Sequence, residues 1–122
     1  MSIVKIGVVG SRIFDNYDMM KQKLNNIVKK FNCEIIIVSG GAKGADSLSE
    51  RYAKEYNLKT IIHKPEWDKY GKSAGFKRNK TIIDDSDLVV AFWDKKSAGT
   101  KNSIDLAKKQ KKLCEIVEFK NK

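Results

Sequence analysis

Three glycine-bearing turns and one arginine are the residues of this chain best suited to chemistry. The turns are Gly10-Ser11-Arg12, then Gly40-Gly41-Ala42 with Gly44 and Asp46 following, and Ser97-Ala98-Gly99-Thr100. Glycine adopts backbone angles closed to other residues, so a bulky anion can come close to the amides of such a turn. A helix that starts directly after the turn adds unpaired N–H groups and a partial positive charge. A single turn of this kind also serves any tight strand-to-helix connection. Three at one sheet edge can hold the phosphate and ribose oxygens of an anionic nucleotide.

Arg78 stands out because only Arg12, Arg51 and Arg78 among the 25 basic residues are arginine. Its planar fork suits bidentate contact with phosphate or carboxylate; the plainer alternative is a surface arginine paired with Asp84 or Asp85. Asn79 follows it. Trp67 and Tyr70 in an irregular stretch, and Trp93 at the end of a strand, can stack on a base or pack in the core. His63, the one histidine, reads as the polar end of a strand rather than a catalytic base. Cys33 and Cys114 have no Cys or His partner at metal spacing, so half-buried reduced thiols are expected, with no disulfide and no metal site.

Other nucleotide motifs fail on spacing. "YGKS" holds the Gly-Lys-Ser of a Walker A loop, but the motif needs glycine at position 66, where Glu66 stands. The first strand leads into "GVVGSR", which lacks the G-x-G-x-x-G of a dinucleotide site. No ATPase and no cofactor are implied.

The elements that must position these residues alternate along the chain. Strands are expected at Ile3 to Val9, Ile35 to Val38, Leu58 to His63, Leu88 to Phe92 and Cys114 to Val117. The second is apolar throughout, as in a parallel sheet covered on both faces. A helix from about Asp15 to Phe31, capped by Asp15 or Asn16, carries Tyr17, Met20, Leu24, Ile27, Val28 and Phe31 on one stripe. A second, from about Ala45 to Tyr56, turns Leu48, Tyr52 and Tyr56 inward. Lys64 to Ser73, with the only proline, is expected to be loop; further helices span about Ala74 to Ile83 and Thr100 to Lys111. The pattern predicts an α/β fold, a three-layer sandwich around a five-stranded parallel sheet of order 3-2-1-4-5. Ligands of such sheets bind beyond the carboxyl ends of the strands, where the order reverses. That point gathers the three turns.

With 122 residues, the chain is expected to form a single domain over positions 1–122. No apolar run reaches the roughly 20 residues of a membrane span, and no secretory signal is visible, so a soluble, cytoplasmic protein is expected. A net charge of +10 attracts polyanions. A bias toward Lys, Ile and Asn yields the same number without any selection for binding. The run from Lys108 to Lys112 reads as the solvated C-terminal end of a helix.

"VVGSRIF", "SGGAKGADSLSERYAKEY", "KPEWDKYGKSAGFKRN" and "DLVVAFWDKKSAGTKNSIDLA" together resemble the YspA-like family of the SLOG superfamily, over nearly the whole chain. The resemblance implies a Rossmann-like fold that binds a nucleotide or nucleotide-derived ligand, ADP-ribose-like or similar. It implies a pocket formed by Gly40, Gly41, Gly44, Asp46, Arg78, Asn79, Ser97, Gly99 and Thr100, to which the turn residues Gly10, Ser11, Arg12 and Ala42 and the aromatic Trp67 are added. Two alternatives come with it. The superfamily includes cytokinin-activating phosphoribohydrolases, whose turn after the fourth strand ends in a glutamate; alignment on Gly99-Thr100 puts Ser103 there. A catalytic carboxylate would then have to be Asp46 or Glu50, acting with Arg78, although Asp46 serves equally as a helix cap and Glu50 as a solvated residue. The Rossmann core of DNA-processing protein A is also similar, which makes single-stranded DNA a second, lower-ranked partner. A homo-oligomer is expected by resemblance only.

Overall fold

The computed structural model describes residues 2–120. Five strands, β1 (Ile3–Gly10), β2 (Glu34–Ser39), β3 (Lys59–Ile62), β4 (Leu88–Trp93) and β5 (Leu113–Glu118), pair in the order β3-β2-β1-β4-β5. Every pairing is parallel, with Ile6 beside both Ile37 and Leu88 at the centre of the sheet. The expected α/β sandwich and its strand order are therefore the observed ones. Each strand starts and ends within about two residues of its expected position, because the central strands are apolar runs bounded by polar turns.

Helices α1 (Tyr17–Val28) and α2 (Ala45–Glu55) cover one face of the sheet; α4 (Ala74–Asp85) and α5 (Ala98–Lys109) cover the other. Alternation along β1 divides the core. Ile6 and Val8 pack with Met20, Leu24, Tyr52 and Ala53, while Val9 packs with Ile82, Ile83, Ile104 and Ala107. Burying both faces explains why the central strands carry almost no polar side chains. Asn16 caps α1, its side chain accepting from the Met19 N–H at 3.0 Å.

Four expectations need correction. Residues 67–73 are not loop: Trp67–Tyr70 form a one-turn helix, α3, followed by a 3₁₀ turn at Gly71–Ser73. The Glu66 carbonyl accepts from both Lys69 and Tyr70, and Asp68 suits the first turn electrostatically. Helix α5 begins at Ala98, two residues early, because Ser97 rather than a later residue is its cap. It ends at Lys109, and Lys111 takes a left-handed turn that closes the connection to β5. Tyr56 lies beyond the end of α2 and is 39% exposed, stacked on Tyr52 with ring centres 4.7 Å apart; Ser49 and Ala53 take the inward places. Cys33 is half-buried as expected but Cys114 is exposed, since its position on edge strand β5 faces outward; both are free thiols. No helix among the described residues is long and apolar enough to cross a membrane.

Candidate functional site

The carboxyl ends of β1, β2 and β4 open into a cavity of about 420 Å³. Parallel strands order this arrangement: every strand-to-helix turn emerges at the same edge, and the reversal of order between β1 and β4 leaves a gap there. The first turn contributes Gly10, Ser11, Arg12 and Ile13 to the wall, the second Ala42 and Asp46, and the third Asp94, Ser97, Gly99 and Thr100. Trp67 and Lys72 come from the segment entering α4, Phe76 from its first turn and Arg78 and Asn79 from its second.

The first turn is bound to its neighbours. The Ser11 N–H donates to the Phe92 carbonyl at 3.0 Å, and the Ser11 carbonyl accepts from Ala45 at the start of α2 at 3.1 Å. That contact requires a close approach of Gly44 to Ser11 and Arg12. Gly44 caps α2 at φ +76°, and a Cβ there would run into the Ser11 and Arg12 carbonyls. Asp46 is thus not the cap. It sits in the first turn of α2 and reaches back, accepting from the Ala42 N–H at 3.2 Å. Burial raises its pKa from the ordinary value, opposed by the Ala42 N–H, by Arg78 and by the Gly40 N–H, with Glu50 adding to the rise.

The glycine-rich turn differs from its sequence image in one respect. Gly41 donates to Ser39 Oγ at 3.3 Å, Ala42 to Asp46 and Ala45 to Ser11, so these amides are engaged within the protein. Gly40, Gly41 and Gly44 belong to the frame behind the cavity and not to its wall. Gly40 has its own constraint: a Cβ there would strike the Arg78 guanidinium and the Asp46 carboxylate.

Arg78 donates from Nη1 to the Gly40 carbonyl at 2.6 Å and from Nε to Asn79 Oδ1 at 3.2 Å. It does not pair with Asp84 or Asp85. Asp84 binds Lys80 and Gln110, each at 2.7 Å, while Asp85 holds Lys5 at 2.8 Å and His63 at 2.9 Å. Burial lowers the Arg78 pKa from its ordinary value, Asp46 opposes that and Arg12 adds to it; the guanidinium remains charged. Asn79 completes the bracket, donating to the Gly99 carbonyl at 3.3 Å and lying 3.5 Å from Asn102 Oδ1. Adjacent residues of α4 therefore reach the second turn in one direction and the third in the other.

At the third turn, Asp94 Oδ1 accepts from the Lys96 and Ser97 N–H groups at 2.9 and 2.8 Å, which hold its pKa below the ordinary value. Ser97 Oγ takes the Thr100 N–H and hydroxyl at 3.4 and 3.1 Å. Helix α5 points its first turn, Gly99 and Thr100, at the cavity. Ser103, one turn on, is 2% exposed and shares the wall.

Other expected candidates lie elsewhere. Glu50 accepts from Ser39 Oγ at 2.9 Å and is off the cavity wall. Trp93 donates its indole N–H to the Ser97 carbonyl at 3.1 Å, a bond that supports the third turn from outside the cavity. Tyr70 faces a separate cleft, its ring between Lys69 and Lys77. Trp67 is 51% exposed at the cavity rim. Sequence reasoning missed Ile13, Lys72, Phe76 and Asp94. Phe76 is 53% exposed, an aromatic on the outer side of the "AGFKRN" stretch, and Lys72 belongs to the Gly-Lys-Ser whose Walker spacing fails. No cluster of metal-ligating side chains occurs among the described residues.

A family model, YAcAr, the YspA, cpYpsA-related SLOG family, matches residues 4–70, more than half of the sequence. The chain belongs to that family. The SLOG match takes in the first two turns and Trp67 and ends before Arg78. The Gene 61 protein of Mycobacterium phage D29 is 27% identical over 124 residues, covering 97% of this chain and 98% of that protein. Among solved structures, DNA processing protein A from Helicobacter pylori, described for its single-stranded DNA binding mode, superposes with a TM-score of 0.73 at 23% identity. That match covers 98% of this chain and 67% of the other. DNA processing protein A from Streptococcus pneumoniae gives 0.74 at 21% identity, covering 96% of this chain and 51% of the other. These likenesses establish the shared fold of the SLOG chain and its neighbours, and the chain spans about two thirds and half of their lengths.

Proposed function

We propose that the cavity binds a nucleotide or nucleotide-derived ligand, ADP-ribose-like or similar. The observation that carries this reading is the meeting of Arg12, Lys72, Arg78 and the first turn of α5 with the half-exposed aromatic rings of Trp67 and Phe76 in the lining of one cavity. Phosphate oxygens suit the cations and a base suits the aromatic rings. A volume of about 420 Å³ lies within the usual range for small-molecule sites, roughly 300 to 1,000 Å³. Membership of the SLOG family agrees with a nucleotide or nucleic-acid role.

Two variants of this reading deserve separate arms of one experiment. Hydrolysis of an N-glycosidic bond needs an acid or base, and the cavity wall offers the carboxylates of Asp46 and Asp94, with Ser103 where the phosphoribohydrolase glutamate aligns. Single-stranded DNA is favoured by the net charge of +10 and by the neighbour described for that activity.

Equilibrium binding at physiological salt against mononucleotides, ADP-ribose, NAD, cyclic dinucleotides and a short DNA strand distinguishes them. Saturable binding of one nucleotide, weakened roughly 10-fold or more by Arg78→Ala and returning the ligand intact, supports the binding module. Recovery as free base and sugar phosphate indicates the hydrolase. Binding of DNA alone, falling steeply with salt and equally with loss of any lysine, contradicts a nucleotide pocket.

A further inference from the structure

The ionisable groups on the cavity wall that lack a partner of their own describe the missing ligand. Five ionisable residues line the cavity: Arg12, Lys72, Arg78, Asp46 and Asp94. Two of them answer each other. Arg78 and Asp46 interact electrostatically across Gly40, and each also has a backbone partner. Arg12 and Lys72 have no carboxylate within ion-pair distance among the described residues. Asp94 has no cation there either; its Oδ1 takes two backbone N–H groups, and Oδ2 takes none.

A carboxylate on the wall of a phosphate site repels the ligand unless it meets a hydrogen-bond donor. A nucleotide offers donors at its sugar hydroxyls and at exocyclic amines of the base. The aromatic and apolar groups at the rim, Trp67, Phe76 and Ile13, suit the base. Asp94 instead adjoins the polar first turn of α5, with Ser97 and Thr100.

We infer that Asp94 Oδ2 accepts from the ribose hydroxyls of the ligand, so that the cavity selects ribonucleotides over 2′-deoxyribonucleotides. This inference rests on the proposed nucleotide site and makes a narrower claim about it. Oδ2 presents two lone pairs, enough for both hydroxyls of a vicinal diol. The amides on Oδ1 fix the carboxylate's orientation and keep it ionised, which strengthens the bonds it accepts.

The test measures binding of the four ribonucleoside 5′-monophosphates, their 2′-deoxy counterparts and inosine monophosphate to the full chain and to Asp94→Asn. Asparagine retains Oδ1 for the two amides, so melting temperature reports whether the turn survives. The expected result is a ribonucleotide preference of roughly 10-fold or more in the parent chain, removed in Asp94→Asn by weakening the ribonucleotide alone. Equal binding of ribo and deoxy forms, lost in Arg78→Ala, overturns the inference and leaves the nucleotide site standing. A preference that persists in a folded Asp94→Asn overturns it as well, as does an Asp94 effect that follows the exocyclic amine of adenosine over inosine. If Asp94→Asn unfolds, the ribo-to-deoxy ratio of the parent chain decides. Binding of no nucleotide in either series, nor of ADP-ribose, NAD or a cyclic dinucleotide in the wider screen, overturns the site reading and the inference together.

Discussion

The turns after β2 and β4 do the same job with opposite chemistry. Each joins a strand to a helix and each uses an aspartate to accept backbone amides. Asp46 lies on the helix side, looks back and is 8% exposed; Asp94 lies at the strand side, looks forward and keeps one oxygen unengaged. Burial raises the Asp46 pKa, whereas two amides lower that of Asp94. The glycine-rich turn, the more conspicuous in sequence, spends its amides on its own frame. The plainer one faces the cavity with a helix terminus. Glycine content marks where backbone crowds backbone, and a ligand is only one reason for crowding.

The comparison breaks most severely at Gly44. Gly44→Ala forces a side chain into a positive-φ site against two carbonyls, and denaturant melts should show a loss of about 3 kcal/mol or more. No equally costly glycine is expected after β4, since a Cβ on Gly99 would meet only the Asn79 side chain, at 3.9 Å. Asp46→Ala comes next. It leaves the Ala42 N–H without its acceptor and the Arg78 guanidinium without its facing carboxylate, with an expected loss of about 1 to 3 kcal/mol by the same melts. Ser97→Ala removes the α5 cap and should cost about 1 kcal/mol.

The smallest effects, in the pH dependence of stability, carry the comparison's sign. Asp46 titrates higher when folded, so the folded state binds the extra proton; its contribution falls as pH rises from the ordinary aspartate value of 3.8 through the folded value. Asp94 titrates lower when folded. Its contribution is present above 3.8 and is lost as pH falls through the folded value. Asp46→Asn should therefore flatten the decline above 3.8 and Asp94→Asn the decline below it. Matching pH curves for the two variants would contradict the assignment of opposite environments.

The sheet was legible because Ile35 to Val38 and its counterparts are apolar runs too short for helices, separated by amphipathic ones. The turns were legible as positions, and the structure brings Ser11, Arg12, Ala42, Asp46, Trp67, Arg78, Asn79 and the Ser97-Gly99-Thr100 turn to one cavity. Hydrogen-bond direction was not legible. Nothing in the order of residues says that Ala42 donates to Asp46, or that Asp94 serves the two amides ahead of it, since both depend on side-chain rotamers. The one-turn helix at Trp67 escaped notice because four residues are too few to show a period. Tyr56 fits the helical stripe of α2 but falls past the helix end, where the stripe no longer predicts its direction.

Arg78 and Asn79 have a mechanical consequence. Neighbours on one rigid helix hold the carbonyls of Gly40 and Gly99, so the second and third turns are fastened to the same strut. A thermal excursion of either turn pulls on α4, and through it on the other. The two turns then share one latch with two hooks, so a contact that holds either turn steadies both.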